Sequence, residues 1–209
     1  MAVDVALLTV RDEVLQVVVV DHRHGGPALP GTFLHVGELL SEAAARALQD
    51  KAGLSDVTFT QLRVFDKPGR DDRGWVLTVG HSGALSTARI PADVRSVPIV
   101  DDRPAERLLF DHDDIVTSAV EKLREQYART FDPAGLLPDA FTVLEVRRIY
   151  QAIFGRTMVK DTFRRYIIDA LEPTGELASA FGRPAELFRR RPGAQLPTGA
   201  LAFFASGRR

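Results

Sequence analysis

The stretch at residues 31–54, GTFLHVGELLSEAAARALQDKAGL, constrains this chain more tightly than any other segment. Phe33 and Leu34 make a short strand that leads into a loop and then a helix. Ser41 is a candidate N-cap, Glu42 places negative charge in the first turn, and Ala43–Leu48 are strong helix formers. Gly53 supplies the left-handed residue on which the chain turns out of the helix. Ala47, Asp50 and Lys51 follow i, i+3, i+4 spacing, so they are expected on one helical face.

Glu38, Arg46, Leu48, Gly53 and Leu54 stand at the spacing of the Nudix box, and the stretch resembles that strand-loop-helix signature of diphosphate hydrolases. The glycine that opens the pattern falls on Thr32, and the three helix acids fall on Ala47, Asp50 and Lys51. In working members of the family those acids hold the magnesium that neutralises the diphosphate and readies a water. Here a methyl group and an ammonium replace two of them, and Asp50 is one methylene shorter than glutamate. The resemblance therefore implies a pocket that binds a nucleotide without hydrolysing it, with no catalytic residue, metal ligand or cofactor. It gives Arg46 the task of bracing the loop before the helix and keeps Glu38 beside it as a pocket candidate. The alternative is a magnesium-dependent hydrolase of ADP-ribose or another nucleoside diphosphate, using Glu38, Asp50 and a distant acid.

Upstream, Val3–Val10 and Val14–Asp21 read as β-branched strands of a hairpin joined by Arg11-Asp12-Glu13. The loop HRHGGPALPG (22–31) carries His22, Arg23 and His24, of which Arg23 is the candidate phosphate contact because a guanidinium forks onto phosphate oxygens. Phe33 is a further candidate for the ligand pocket. Downstream, Val57–Phe65 and Gly74–His81 alternate as strands do, around the charged turn 66–73. The phrase QLRVFDKPGRDDRG (61–74) is similar to a segment of the Nudix-related transcriptional regulators of NAD metabolism, with Asp72 in place of a proline. That family's pocket is taken to bind ADP-ribose. The resemblance implies effector contacts at Arg70, Asp71 and Arg73.

Pro91, Pro98 and Pro104 interrupt residues 82–110, where Leu108–Phe110 is a possible last strand. Asp113 or Asp114 can cap a helix over Ile115–Arg129. FDPAGLLPD (131–139) then reads as a linker. It separates a domain at 1–130 from a second at 140–192, with a tail at 193–209 that no pattern places.

In the second domain Thr142 and Glu145 form a capping box that opens a helix over Val143–Phe154, closed by Gly155. A second helix starts at Lys160, with Asp161 a candidate cap and Phe163 and Ile167 facing inward. LEPTGE (171–176) reads as a turn, and Leu177–Ala180 with Glu186–Arg190 as a basic hairpin around Phe181-Gly182-Arg183-Pro184. Helix, helix and hairpin within about sixty residues suggest a winged helix-turn-helix. Thr142, Lys160, Thr162, Arg164 and Arg165 are the candidate DNA contacts, with Arg183 and the Arg189–Arg191 cluster on the wing. Arg147 and Arg148 are expected in solvent. The stretch also resembles the C-terminal domain of the same regulators, with Asp161-Thr162 where they carry an Arg-Asn pair.

Charge agrees with two domains of different partners. Residues 1–130 hold 15 Lys+Arg against 20 Asp+Glu, and residues 131–209 hold 12 against 8. The chain has no cysteine, which excludes disulfides and suits a reducing cytoplasm. The opening MAVDVALLTVRDEV carries acids and reads as a strand rather than a signal peptide, and no run approaches the length of a membrane span. The expected architecture is α/β (α+β): an N-terminal Nudix sandwich followed by a winged helix. The resemblance implies a cytoplasmic, homodimeric repressor of NAD-biosynthesis genes, bound to a palindromic double-stranded operator and released by ADP-ribose or a related metabolite.

Overall fold

A computed structural model of the chain describes residues 1–71, 74–178 and 184–205. Arg73 and Arg183, both named above, lie outside the described residues, as do Asp72 and most of the hairpin tip. The chain divides into two compact units, Met1–Lys122 and Leu123–Arg209. The division falls inside a helix and not in the proline-bearing segment 131–139, because Tyr127 already stacks edge-on with Tyr150 at 5.5 Å.

The first unit is built on β1 (Ala2–Arg11), whose residues from Ala2 to Thr9 are all buried. β1 turns through Asp12 and Glu13, both with positive φ, into β2 (Val14–Val18), pairing Arg11 with Val14. This is the expected hairpin, and two left-handed turn residues match the twist of its strands. Short strands β3 (Val20–Asp21) and β4 (Pro27–Ala28) pair with each other, and β5 (Gly31–Phe33) returns to pair antiparallel with the start of β1. After helix α1 (Leu40–Ala52) come β6 (Thr60–Phe65), β7 (Thr78–Ala84), β8 (Ser96–Val100) and β9 (Arg103–Pro104). The sheet order is β6-β7-β1-β2-β8-β9, with β7 parallel to β1. Leu108–Phe110 is not a strand. There the Leu108 N–H donates to Asp113 Oδ1 at 3.0 Å, which draws the segment into the start of helix α2 (His112–Arg129). Asp113 and Asp114 therefore sit in the first turn of that helix and not before it.

Alternation along β1 sorts its side chains between two layers. Val3, Val5 and Leu7 share a buried cluster with Ala43, Ala44 and Leu48 of α1. Asp4 points the other way, towards His112 of α2. Helix α1 starts earlier than the serine suggested: its N-cap is Leu39, whose N–H donates to Glu42 at 2.8 Å. Gly53 ends it in the left-handed conformation, as expected.

Gly31 illustrates how tightly β5 lies on β1. A Cβ added there would stand 2.1 Å from Asp4 Oδ1 and 3.1 Å from the Val3 carbonyl. Gly31→Ala is expected to cost on the order of 1–3 kcal/mol through overpacking. A thermal unfolding midpoint equal to that of the parent chain would contradict this packing.

The second unit holds α3 (Val143–Phe154), α4 (Lys160–Ile167), β10 (Leu171–Ala178), β11 (Ala185–Arg190) and α5 (Gly199–Ala205). The Thr142–Glu145 capping box and the Gly155 C-cap bound α3 as expected. Val159, not Asp161, caps α4. LEPTGE is strand rather than turn: Leu171, Glu172 and Pro173 pair with β11, and the irregularity after Pro173 accommodates Gly175 at φ 80°. The described part of the tail, up to residue 205, has a definite place. Phe204 packs against Tyr150, Phe154 and Phe163, Phe203 stacks on Tyr166, and the Phe203 carbonyl accepts a hydrogen bond from Arg156. Among the described residues no helix is long and apolar enough to cross a membrane.

Candidate functional site

Among the described residues two concave sites stand out, one in each unit. The first is a cavity of about 580 Å³, within the range of small-molecule pockets. Its lining includes Asp4, Arg23, Phe33, Lys51, Arg70, Asp71, Phe110 and His112. These come from β1, the β3–β4 loop, the β5–α1 segment, the end of α1, the turn after β6 and the start of α2. Four of the seven effector candidates, Arg23, Phe33, Arg70 and Asp71, are brought together here. Arg73 lies outside the described residues, and Glu38 and Arg46 do not line the cavity.

Glu38 and Arg46 are occupied with each other. Arg46 donates from Nε to Glu38 Oε1 at 2.8 Å, from one terminal nitrogen to Glu38 Oε2 and the Phe33 carbonyl at 2.9 Å each, and from the other to Thr32 Oγ1 at 2.9 Å. The Glu38 carboxylate also accepts from the His35 N–H at 2.9 Å. The hydrogen bonds from Arg46, and then that from His35, hold the Glu38 carboxyl down to about 2. The brace is therefore fully present above the ordinary carboxyl value and fades only as pH falls towards 2. Thr32, which replaces the pattern's glycine, is part of the brace.

The deeper wall of the cavity is a buried charge network. Arg70 donates bidentately to Asp111 at 2.7 and 2.9 Å and reaches Asp4 at 3.4 Å, with 3% of its side chain exposed. His112 Nδ1 accepts from the Leu29 N–H at 2.9 Å, which places the ring proton on Nε2, facing Asp4 Oδ1 at 3.6 Å. Burial pushes the Asp4 carboxyl up, but His112, Thr78 and Arg70 together outweigh it and hold the group below its usual value. Arg70 lines the cavity with its guanidinium already committed.

Sequence reasoning does not name as site residues Asp4, Phe110 and His112, which also line the cavity. Asp4 carries a signal, an acid inside a strand otherwise apolar from Ala2 to Leu8, but only the fold shows its partners. Phe110 sits at φ 61°, a conformation costly for a bulky residue, and its ring lies 5.3 Å from His22 and 5.2 Å from His112. With Phe33, 43% exposed, it offers the cavity a second aromatic surface.

The donor set expected to hold magnesium does not fit such an ion. Ala47 is buried with Ala43, Ala44 and Leu48 and offers no donor, while Asp50 and Lys51, at same-face spacing on the helix, are exposed. Asp50 does not line the cavity, Lys51 does, and Glu38 is engaged by Arg46. Among the described residues no group of three or more His, Cys, Asp or Glu is placed to hold a metal.

The second site is a concavity of about 500 Å³ in the second unit, lined by Thr142, Leu144, Arg147, Lys160, Arg164 and Phe188 among others. Thr142, Lys160 and Arg164 are thus gathered, while Thr162 and Arg165 lie on α4 outside it. Arg164 and Arg165 are exposed and, among the described residues, have no salt-bridge partner. The Thr142 hydroxyl is engaged in its cap, accepting from the Glu145 N–H at 3.2 Å. Arg147, expected in solvent, is half-buried with no hydrogen-bond partner for its Nε among the described residues. The wing cluster divides. Arg190 turns inward to Asp132 at 2.9 Å and to the Leu137 and Pro138 carbonyls, Arg191 faces Glu172 at 3.4 Å, and Arg189 is exposed.

The family profile described as the NrtR DNA-binding winged helix domain matches residues 133–190. The chain is 30% identical over 203 residues to the ADPR responsive transcriptional repressor NtrR of Acinetobacter baylyi, covering 90% of this chain and 81% of that protein. It is also 31% identical over 91 residues to the ADP-ribose pyrophosphatase of Methanocaldococcus jannaschii, covering 43% of this chain and 54% of that one. Among solved structures, Shewanella oneidensis NrtR complexed with a 27mer DNA superposes with a TM-score of 0.77 at 27% identity, covering 97% of this chain and 96% of that chain. Its likeness runs across both units, as does that of the repressor, and on these grounds the chain belongs to the NrtR family of Nudix-related transcriptional regulators.

Proposed function

We propose that this protein is a transcriptional repressor that holds operator DNA with its winged helix and senses ADP-ribose, or a related NAD metabolite, in the N-terminal cavity without hydrolysing it. In this reading it acts in the cytoplasm as a homodimer on a palindromic operator near NAD-biosynthesis genes. The observation that carries the reading is the pairing of two sites in a chain similar along most of its length to an ADPR responsive repressor. One is a pocket beside a box that carries Ala47 and Lys51 where the resemblance expects acids; the other is a concavity bordered by a helix whose arginines have no salt-bridge partner among the described residues.

On α4, Arg164, Arg165, Lys160 and Thr162 are placed for base edges and phosphates, and Thr142 and Arg147 for the backbone beside them. Arg189 serves the wing, with Arg183 its sequence candidate. In the cavity, Arg23 takes phosphate, Phe33 and Phe110 offer faces for the base, and Asp71 is an acceptor for ligand hydroxyls. Arg70 holds the wall, and Glu38 and Arg46 hold the loop before α1, so these three support the ligand indirectly. The ligand changes DNA affinity only to the extent that it binds the DNA-competent and released states unequally.

Fluorescence anisotropy of labelled DNA from upstream of NAD-biosynthesis genes, titrated with protein and then with ADP-ribose, tests the reading. Selective, salt-sensitive binding that ADP-ribose reverses in the presence of EDTA is expected. Binding that is equally tight to scrambled DNA and indifferent to ADP-ribose would overturn it. The similarity to an ADP-ribose pyrophosphatase over 91 residues favours one second reading, a magnesium-dependent hydrolase. Release of AMP from ADP-ribose at steady turnover would move the conclusion there.

A further inference from the structure

The position that should carry a metal-holding acid carries Lys51 instead, and this exchange has a consequence for how a diphosphate is held. Lys51 lies in the last turn of α1 and lines the cavity. Of the cavity's Arg and Lys side chains among the described residues, Arg70 is neutralised by Asp111 and Asp4. Arg23 and Lys51 remain, and among the described residues neither has a salt-bridge partner. The lining also includes Asp21 and Asp71. Asp21 is paired with Arg95, so a diphosphate entering the cavity needs a cation that these carboxylates do not already hold. In a metal-using site that cation is magnesium, bridging the phosphate oxygens. Here the residues that would hold it are a buried methyl group, an acid outside the cavity lining and an ammonium.

Resting on the nucleotide-sensing reading above, we propose that the Lys51 ammonium takes the place of the divalent cation, neutralising the diphosphate of the bound nucleotide together with Arg23 and so making recognition independent of metal. A diphosphate diester carries a negative charge on each phosphate, and the two unpaired cations of the cavity match it. An ammonium on a flexible stem is a compact point charge with three donors, suited to bridge oxygens of neighbouring phosphates. Its charge is covalently held, so occupancy follows the metabolite alone and not the cell's magnesium. The same charge opposes a metal ion approaching Asp50, which disfavours the hydrolysis that would destroy the signal.

Isothermal titration of the full chain with ADP-ribose, once in EDTA and once in millimolar magnesium, tests this alongside Lys51→Ala, Lys51→Arg and Lys51→Glu. The parent chain is expected to bind equally in both buffers. Lys51→Ala should weaken binding by about tenfold or more in both, the size of a charge-assisted hydrogen bond. Lys51→Arg should retain most of the affinity, and Lys51→Glu should lose binding in EDTA. Lys51 is exposed, so the thermal midpoints of all three should match the parent and separate weaker ligand binding from a failure to fold. Parent binding that appears only with magnesium would overturn the proposal while leaving the nucleotide-sensing reading intact. Metal-free binding unchanged by Lys51→Ala would overturn it as well. If the parent binds ADP-ribose in neither buffer, the sensing reading itself fails and the proposal falls with it.

Discussion

Arg70→Ala is expected to lower the stability of the N-terminal unit by about 3–5 kcal/mol, the usual cost of leaving buried charge without its partner. Among the described residues Arg70 bridges Asp4 and Asp111, and both acids are nearly as buried as the guanidinium. Removing it leaves two carboxylates facing each other's charge across a space where water replaces the missing hydrogen bonds poorly. Denaturant unfolding followed by circular dichroism measures the loss. ADP-ribose affinity should fall in parallel, because Asp4 and the start of α2 form the cavity wall. Arg70→Lys should recover only part of the stability, since a single ammonium cannot reproduce the bidentate bond to Asp111. A loss below about 1 kcal/mol, the range of exposed pairs, would mean that the network is solvated and contributes no more than a surface ion pair.

The second large effect concerns DNA. Replacing both Arg164 and Arg165 with alanine is expected to weaken operator binding by about a hundredfold or more, taking about 1–3 kcal/mol for each arginine that touches a base. If either touches phosphate instead, the salt dependence should flatten by about one unit of slope for each phosphate no longer neutralised. Both side chains are exposed and neither has an ion-pair partner among the described residues, so the thermal midpoint and the ADP-ribose affinity should be unchanged. Anisotropy at several salt concentrations separates base recognition from phosphate binding. Undiminished operator binding by the double variant would show that α4 is not the recognition helix.

These outcomes divide the two arginine classes that sequence alone presents as equivalent. Arg70 and Arg190 find carboxylates and become structural; Arg23, Arg164 and Arg165 find none among the described residues and are left for ligands. No local pattern distinguishes them, because the acids concerned lie as far as 66 residues away in the chain for Arg70 and Asp4.

What was legible in the sequence was what short-range chemistry decides. The β1–β2 hairpin needed only the adjacent Asp12 and Glu13, the α3 cap only Thr142 and Glu145, and the helix ends only Gly53 and Gly155. The box spacing brought Glu38 to Arg46 because eight residues of loop and helix fix that distance. The errors have the opposite character. LEPTGE reads as a turn because Pro173 and Gly175 break local regularity, yet pairing with β11 holds it as a strand. The tail carries no periodic pattern, and only the aromatic cluster around Tyr150 gives Phe204 a place. Asp4, an acid in a buried strand, makes sense only once Arg70 and His112 arrive from other elements. Turns, caps and box spacing were determined by the sequence itself, since each depends on neighbours a few residues away. Which face is buried, which charges are paired and which cations remain for a ligand were decided by the tertiary structure, because each depends on groups that only folding brings within a few ångströms.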